Sequence, residues 1–301
     1  MIKKVTCVAV VLHYIGIEDT RECVSSFLEK CSDTDVIIVD NASPNETGRV
    51  LYEEYQENPR VTVILNENNL GFSAGNNVGI EYAKKNYDFS YLIIANNDTL
   101  ILDDHFVSLV QQTYEKEKFS VLGPMILTAD GRCDSNPLYY FPYTREKALH
   151  DIEFHQKRIR SIQNPIYGFL YHLGKKIKRK FGFDDYKKYD RKKSVGKELI
   201  FPHEDVVLHG SFLVFSMDYF AAFSGLDDRT FLYAEEDILY QHCKHRGLKM
   251  YYCPQIIVYH KEGGAVKSKL PNKKEKDLFF SRHAISAIKA YLELLDEYKD
   301  L

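Results

Sequence analysis

Three acidic residues in a row, Glu235-Glu236-Asp237, follow Phe231-Leu232-Tyr233-Ala234 late in this 301-residue chain. Neighbouring carboxylates repel one another, which raises at least one pKa and suits a general base. At a helix N-terminus the dipole alone would also account for them. A second acidic position, Asn96-Asn97-Asp98, directly follows the apolar run Tyr91-Leu92-Ile93-Ile94-Ala95. A lone carboxylate there suits a hard cation, Mg2+ or Mn2+, that takes oxygen ligands and shares them with phosphates; it equally suits an Asn-Asp turn. His260 leaves another apolar stretch into Lys261-Glu262-Gly263-Gly264, as a metal ligand or as a surface turn residue. The other ten histidines have no ligand spacing.

Two further stretches suit a nucleotide. Asp40 follows four apolar residues and precedes Asn41-Ala42-Ser43-Pro44. A carboxylate at a strand end accepts hydrogen bonds from a uracil ring N–H or a ribose hydroxyl, or caps the next helix as a turn residue. The loop Asn69-Leu70-Gly71-Phe72-Ser73-Ala74-Gly75-Asn76-Asn77-Val78-Gly79 is rich in small residues. These let backbone approach a ligand, and a following helix N-terminus favours phosphate; they also allow tight helix–sheet packing. The loop is neither a dinucleotide fingerprint nor a P-loop.

These positions need elements to hold them. Residues 5–12, 36–39, 61–65 and 91–95 read as buried strands, separated by helices over about 19–30, 44–56 and 74–85. That alternation predicts a parallel, doubly wound α/β sheet. In such sheets ligands collect beyond the carboxyl ends of the strands, here His13-Tyr14, Asp40-Asn41, 66–77 and 96–98. After Gly123-Pro124 the alternation stops, and from about 130 to 201 the chain is aromatic and basic with weak periodicity. A strand returns at 212–215, then a helix over about 234–245, two short strands (249–253 and 256–259) and a closing helix over about 274–297.

A net charge of −3 says nothing about nucleic acid, so any basic patch must be local. Between Lys157 and Lys193 stand thirteen Lys/Arg against three Asp, interleaved with Phe169, Tyr171, Phe181, Phe183, Tyr186 and Tyr189. Residues 157–193 read as a solvated basic face, as peripheral contact with an anionic membrane or lipid phosphate, or as a nucleic-acid patch. The last has no RNA- or DNA-binding motif beside it, so no nucleic-acid partner is expected. No signal peptide or membrane-spanning run is expected, and six cysteines without C-x-x-C spacing read as reduced thiols. The expected location is cytoplasmic, at the inner face of the cell membrane where it is peripheral.

Taken in order, Val39-Asp40-Asn41-Ala42-Ser43, the 69–79 loop, Asn96-Asn97-Asp98, residues 210–215, Gly225-Leu226-Asp227-Asp228 and residues 231–237 make the chain similar to family 2 glycosyltransferases. The likeness is to enzymes of the GT-A fold, especially bacterial rhamnosyltransferase-like enzymes that build capsule or cell-wall glycan. It covers roughly 5–125 and 209–264. It implies a Rossmann-like, mostly parallel sheet flanked by helices. The GT-A catalytic domain would span 1–265, with a nucleotide-binding half (1–125), a basic aromatic insertion (about 130–205) and an acceptor half (206–265). A helical tail (266–301) would follow.

The resemblance also implies roles. Asp40 would read the nucleobase with His13 lining its pocket, while Asn69, Gly71, Phe72 and Asn77 would form the nucleotide wall. Asn97 would lie by the ribose or phosphate, and Gly210 and Ser211 by the donor sugar or acceptor. Asp98 and His260 would hold the metal, although Asn96 replaces the first acid of the family's D-x-D motif. Glu236 would be the base, with Asp237 the alternative because the acidic run permits a one-residue shift. The expected reaction is inverting transfer from a UDP- or dTDP-sugar to a hydroxyl of a growing, lipid-linked glycan. A catalytically silent sugar-nucleotide-binding partner and a nucleotidyltransferase are the competing readings.

Overall fold

The computed structural model describes residues 2–180, 199–262 and 272–299. The basic stretch beyond Lys180, with Phe181, Phe183, Tyr186 and Tyr189, lies outside the described residues, as does the Gly263-Gly264 loop.

The first half alternates as its apolar runs require: β1 (Lys3–His13), α1 (Ile17–Lys30), β2 (Thr34–Asp40), α2 (Thr47–Tyr55), β3 (Val61–Leu65), α3 (Phe72–Asn86) and β4 (Tyr87–Asn96). Side chains alternate across a strand, so a run apolar at every position needs a core on both faces. Strand β1 meets that requirement: Cys7, Ala9 and Val11 join one core cluster, and Val8 and Val10 join the other. Strands β3, β2, β1 and β4 pair in parallel in that order.

Beyond β4 come β5 (Thr99–Ile101), α4 (Phe106–Glu117) and β6 (Val121–Thr128). Then α5 (Arg145–Gln163), α6 (Pro165–Lys180), β7 (His203–Glu204), β8 (Phe212–Ser216) and α7 (Met217–Ala222) follow. The chain closes with α8 (Glu235–His245), β9 (Met250–His260) and α9 (Lys273–Glu297). The sheet continues β4-β8-β6-β9-β5, with β7 also on β9. It is parallel through its first four strands and mixed beyond, since β8 is antiparallel to β4 and β6 while β6 and β9 run parallel. The two short strands expected over 249–259 are one strand, β9. Its register against β6 shifts between Pro124 and Met125, opposite the segment that contains Pro254. A proline has no N–H for the ladder, and an irregularity absorbs it without ending the strand.

The aromatic, basic stretch is helical through α5 and α6. Thr144 caps α5 by accepting the Lys147 N–H, and α5 packs along α9. Their seam carries Tyr143 against Tyr291 (ring centroids 5.4 Å apart) and ion pairs Arg145–Asp296 and Arg158–Asp277. Tyr143, Ala148, Ile238, Ile288, Tyr291, Leu292 and Leu294 form a separate apolar cluster joining α5, α8 and α9. All six cysteines are free. Among the described residues no helix is long and apolar enough to cross a membrane.

Candidate active site

Parallel register puts the chemistry-bearing strand ends in one row. His13 is opposite Asp40 and Leu12 opposite Asn96, while the Asn96 N–H donates to the Ser211 carbonyl at 2.8 Å. Positions that are up to 199 residues apart in sequence thus share one sheet edge.

His13 is fully buried at the β1 end. Its Nδ1 lies 2.6 Å from Thr20 Oγ1 on α1 and its Nε2 2.9 Å from Thr47 Oγ1 on α2. Burial pushes its pKa down to about 4, against the opposing pull of Asp40, so the ring is neutral near pH 7. It works as a spacer between two helix starts, and both ring nitrogens are engaged by protein hydroxyls. Asp40 accepts the Ser43 N–H through both oxygens at 3.2 and 3.3 Å, which is the turn-capping role weighed for it. Gly48 of α2 leaves the space that the carboxylate occupies: a Cβ there would stand 2.1 Å from Asp40 Oδ2.

The 69–79 loop is held by a residue to which the sequence reading gave no role, Asn41. Its Nδ2 donates to Asn69 Oδ1 (3.1 Å) and the Gly71 carbonyl (2.8 Å), and its Oδ1 accepts the Leu70 N–H (2.9 Å). Its place inside the Val39–Ser43 motif was the available signal. Gly71 has φ +82, and a Cβ on it would stand 2.2 Å from the Phe231 carbonyl, which accepts the Phe72 N–H at 3.0 Å. Glycine is required there twice, for its dihedral and for its close approach. The loop therefore docks directly before the acidic triplet. Asn77 turns elsewhere: its amide pairs with both the N–H and the carbonyl of Leu226, stapling α3 to the Gly225-Leu226 turn. It does not line the cleft described below.

Asp98 and His260 meet. Antiparallel pairing of β5 and β9 sets Thr99 opposite His260, and His260 Nε2 lies 3.1 Å from Asp98 Oδ1, both side chains buried. Adjacent ligands in an octahedron with bonds of about 2.1 Å stand about 3 Å apart, so the pair has the spacing of two neighbouring metal ligands. Among the described residues no group of three His, Cys, Asp or Glu side chains is gathered as a complete metal site. Asn97 points back to α1, donating to the Gly16 carbonyl (3.1 Å) and Thr20 Oγ1 (2.9 Å).

Beside that pair opens a cleft of about 540 Å3. Phe72, Asn96, Gly210 and Ser211 form its sheet side, and Tyr233 to Asp237 its floor from the start of α8. His209 links cleft and pair: it lines the cleft, and its ring centroid is 5.9 Å from that of His260. The opposite wall comes from α5 (Lys147, Asp151, His155) and α9 (Phe280, Ala284, Ile288), each at i, i+4, i+8. This wall was not foreseen, although the polar period Lys147-Asp151-His155 is visible in sequence.

The acidic floor is held in a costly backbone. Tyr233 (φ +76) and Ala234 (φ +65) are consecutive non-glycine residues in the left-handed region. Such residues cost about 1–3 kcal/mol each and cluster at functional sites. Burial, with the charges of Glu236 and Asp237 adding to it, pushes the Glu235 carboxyl up to about 8. The raised acid expected of the triplet is therefore Glu235, and Glu236 and Asp237 are its neighbours. Glu236 Oε1 accepts the Gly210 N–H at 3.3 Å, and Asp237 is buried. Burial also holds His155 neutral, its pKa down to about 4.

Residues 9–183 match the family model described as Glycosyl transferase family 2. Glycosyltransferase GlyG of Streptococcus pneumoniae serotype 4 is 29% identical over 103 residues, 34% of this chain and 33% of that protein. The chain thus spans about a third of the length of this curated relative. The crystal structure of GalNAc-T7 with UDP, GalNAc and Mn2+ superposes on 98% of this chain and 50% of its own, with TM-score 0.58 and 12% identity. That of S. aureus TarS 1-349 covers 96% of this chain and 72% of its own, with TM-score 0.51 and 9% identity. At such identities the likeness is one of fold, and the fold is that of GT-A enzymes.

Proposed function

Because this chain belongs to glycosyl transferase family 2, we propose that it transfers a sugar from a nucleotide-diphosphate sugar, UDP- or dTDP-linked, to a saccharide hydroxyl with inversion. The observation that carries this reading is one cleft lined by Asn96, Gly210, Ser211 and the acidic triplet, with Asp98 and His260 beside it. The donor lies along the strand ends from Asp40 to Asp98, its nucleoside beside the Asn41-pinned 69–72 loop.

Glu236 takes the proton of the acceptor hydroxyl as that oxygen attacks the anomeric carbon, and the bond from that carbon to the diphosphate oxygen breaks with its electron pair leaving on the diphosphate. Asp237, one residue on, is the alternative base. Glu235, with its pKa near 8, is mostly protonated at neutral pH. The floor then carries one charge fewer beside the proposed base.

Asp98 and His260 would hold a divalent cation, Mg2+ or Mn2+, which neutralises charge on the departing diphosphate. Asp98 and His260 would supply two protein donors, and a hard cation held there would also take oxygen donors from a diphosphate. The crystal structure of GalNAc-T7 with UDP and Mn2+ supports a metal in this fold.

The acceptor is a growing, lipid-linked surface glycan, reached where residues 157–193 meet the inner face of the membrane. Incubation with Mn2+ and a panel of nucleotide sugars tests the assignment. Slow donor hydrolysis supports it, binding without turnover would make the protein a silent sugar-nucleotide-binding partner, and pyrophosphate release would indicate nucleotidyl transfer.

A further inference from the structure

Helix α6 (Pro165–Lys180) carries a stripe that the fold leaves bare. Ile166, Phe169, Leu170 and Leu173 stand at i, i+3, i+4 and i+7, and they are 75%, 68%, 60% and 44% exposed. That spacing places four large apolar side chains within one helical face about 100° wide. The opposite face is seated on α5. A Cβ on Gly168 would stand 2.5 Å from the Ser161 carbonyl, so backbone meets backbone there. Asn164 fixes the joint, its side chain accepting the Tyr167 N–H (3.0 Å) and its carbonyl the Gly168 N–H (2.8 Å).

The charge on this helix has one sign. Lys175, Lys176, Lys178, Arg179 and Lys180 occupy its last turns, and no acidic residue occurs between Pro165 and Lys180. An apolar stripe beside a run of cations fits a surface that is oily within and anionic at its face, which is the boundary of an anionic bilayer. At 16 residues the helix is too short to cross one.

We propose that α6 lies flat on an anionic lipid surface, with Ile166, Phe169, Leu170 and Leu173 sunk below the headgroups and the positive charge of its sequence favouring anionic lipid. This names the part of 157–193 that enters the membrane and separates insertion from charge attraction alone. It also orients the enzyme. Helix α5 carries α6 at its end and lines the cleft with Lys147, Asp151 and His155; His155 is about 12 Å along the helix from Gln163. Docking brings that wall to the lipid surface. The purpose of the docking, though not its physics, rests on the proposed lipid-linked acceptor.

Sedimentation of the full chain with vesicles tests it, using phosphatidylcholine alone and phosphatidylcholine mixed with phosphatidylglycerol. Binding is expected with the mixed vesicles, and the double substitution Phe169→Glu, Leu170→Glu should weaken it at least about tenfold. A milder pair, Phe169→Ser and Leu170→Ser, adds no charge and should weaken it as well, while donor hydrolysis stays unchanged in both. Equal binding to neutral vesicles would overturn the anionic surface as the partner, and binding that the serine pair leaves intact and salt alone abolishes would overturn insertion. A dimer lost in the serine pair, with no vesicle binding by the parent chain, would instead make the stripe a protein interface. Vesicle binding needs no acceptor, so a chain that docks but ignores lipid-linked acceptors would refute the acceptor assignment and leave the docking standing.

Discussion

Asp98 Oδ1 and His260 Nε2 lie 3.1 Å apart although 162 positions separate the two residues in sequence. The antiparallel pairing of β5 with β9 is what brings them together. If the pair binds the divalent cation, Asp98→Asn and His260→Ala should each lower transfer more than about 100-fold. Titration calorimetry of Mn2+ in the presence of UDP should show the matching loss of metal affinity. Unchanged Mn2+ affinity in both variants would remove the pair from the metal site.

In the proposed reaction Glu236 is the base and Glu235 its neutral neighbour. Glu236→Gln should cut transfer about 100- to 10,000-fold and leave UDP binding intact. If turnover survives in that variant and falls in Asp237→Asn, the base is Asp237.

Glu235 has a different signature. Its folded-state pKa, about 8, lies above the usual 4.5, so the folded chain holds a proton that the unfolded chain releases. That contribution is fully present below pH 4.5 and is lost as pH rises through 8. Glu235→Gln should therefore gain stability over the parent at pH 8, by about 1–3 kcal/mol, and gain little at pH 4. Urea unfolding at the two pH values checks the sign. An equal effect at both would show that burial does not hold this proton.

His13 runs the other way. Its pKa, depressed to about 4 by burial, means that the unfolded state binds a proton first as pH falls below 6.5. Stability from this site is complete above pH 6.5 and is lost as pH falls through about 4. His13→Gln keeps hydrogen-bonding capacity without titrating, so its unfolding free energy should fall less steeply between pH 6.5 and 4 than that of the parent.

Gly71→Ala should destabilise the chain by about 3 kcal/mol or more, since the new methyl meets the Phe231 carbonyl at a positive φ. Loss of donor binding at temperatures where the variant remains folded would tie the 69–72 loop to the nucleotide. Asn41→Ala reaches the same loop from its other anchor and should loosen it without the clash.

Helices α5 and α6 show why the middle of the chain was hard to read. Helix α5 faces the cleft with Lys147, Asp151 and His155, and α6 turns apolar residues outward. Both invert the pattern from which an amphipathic helix is recognised. The short strand β5 and the strand β6, with Pro124 within it, leave equally little periodic signal.

The N-terminal half was legible because parallel strands buried on both faces must be apolar at every position, and that compels the runs ending at His13, Asp40 and Asn96. The order of motifs was sufficient to mark the acidic triplet and Asp98. Only the tertiary structure decided which polar side chains face one another. It set His260 on Asp98, turned Asn77 away to Leu226, gave Asn41 the loop, and left Glu235 as the acid that burial holds protonated. Those outcomes depend on long-range strand pairing and on local desolvation, and neither leaves a period along the chain.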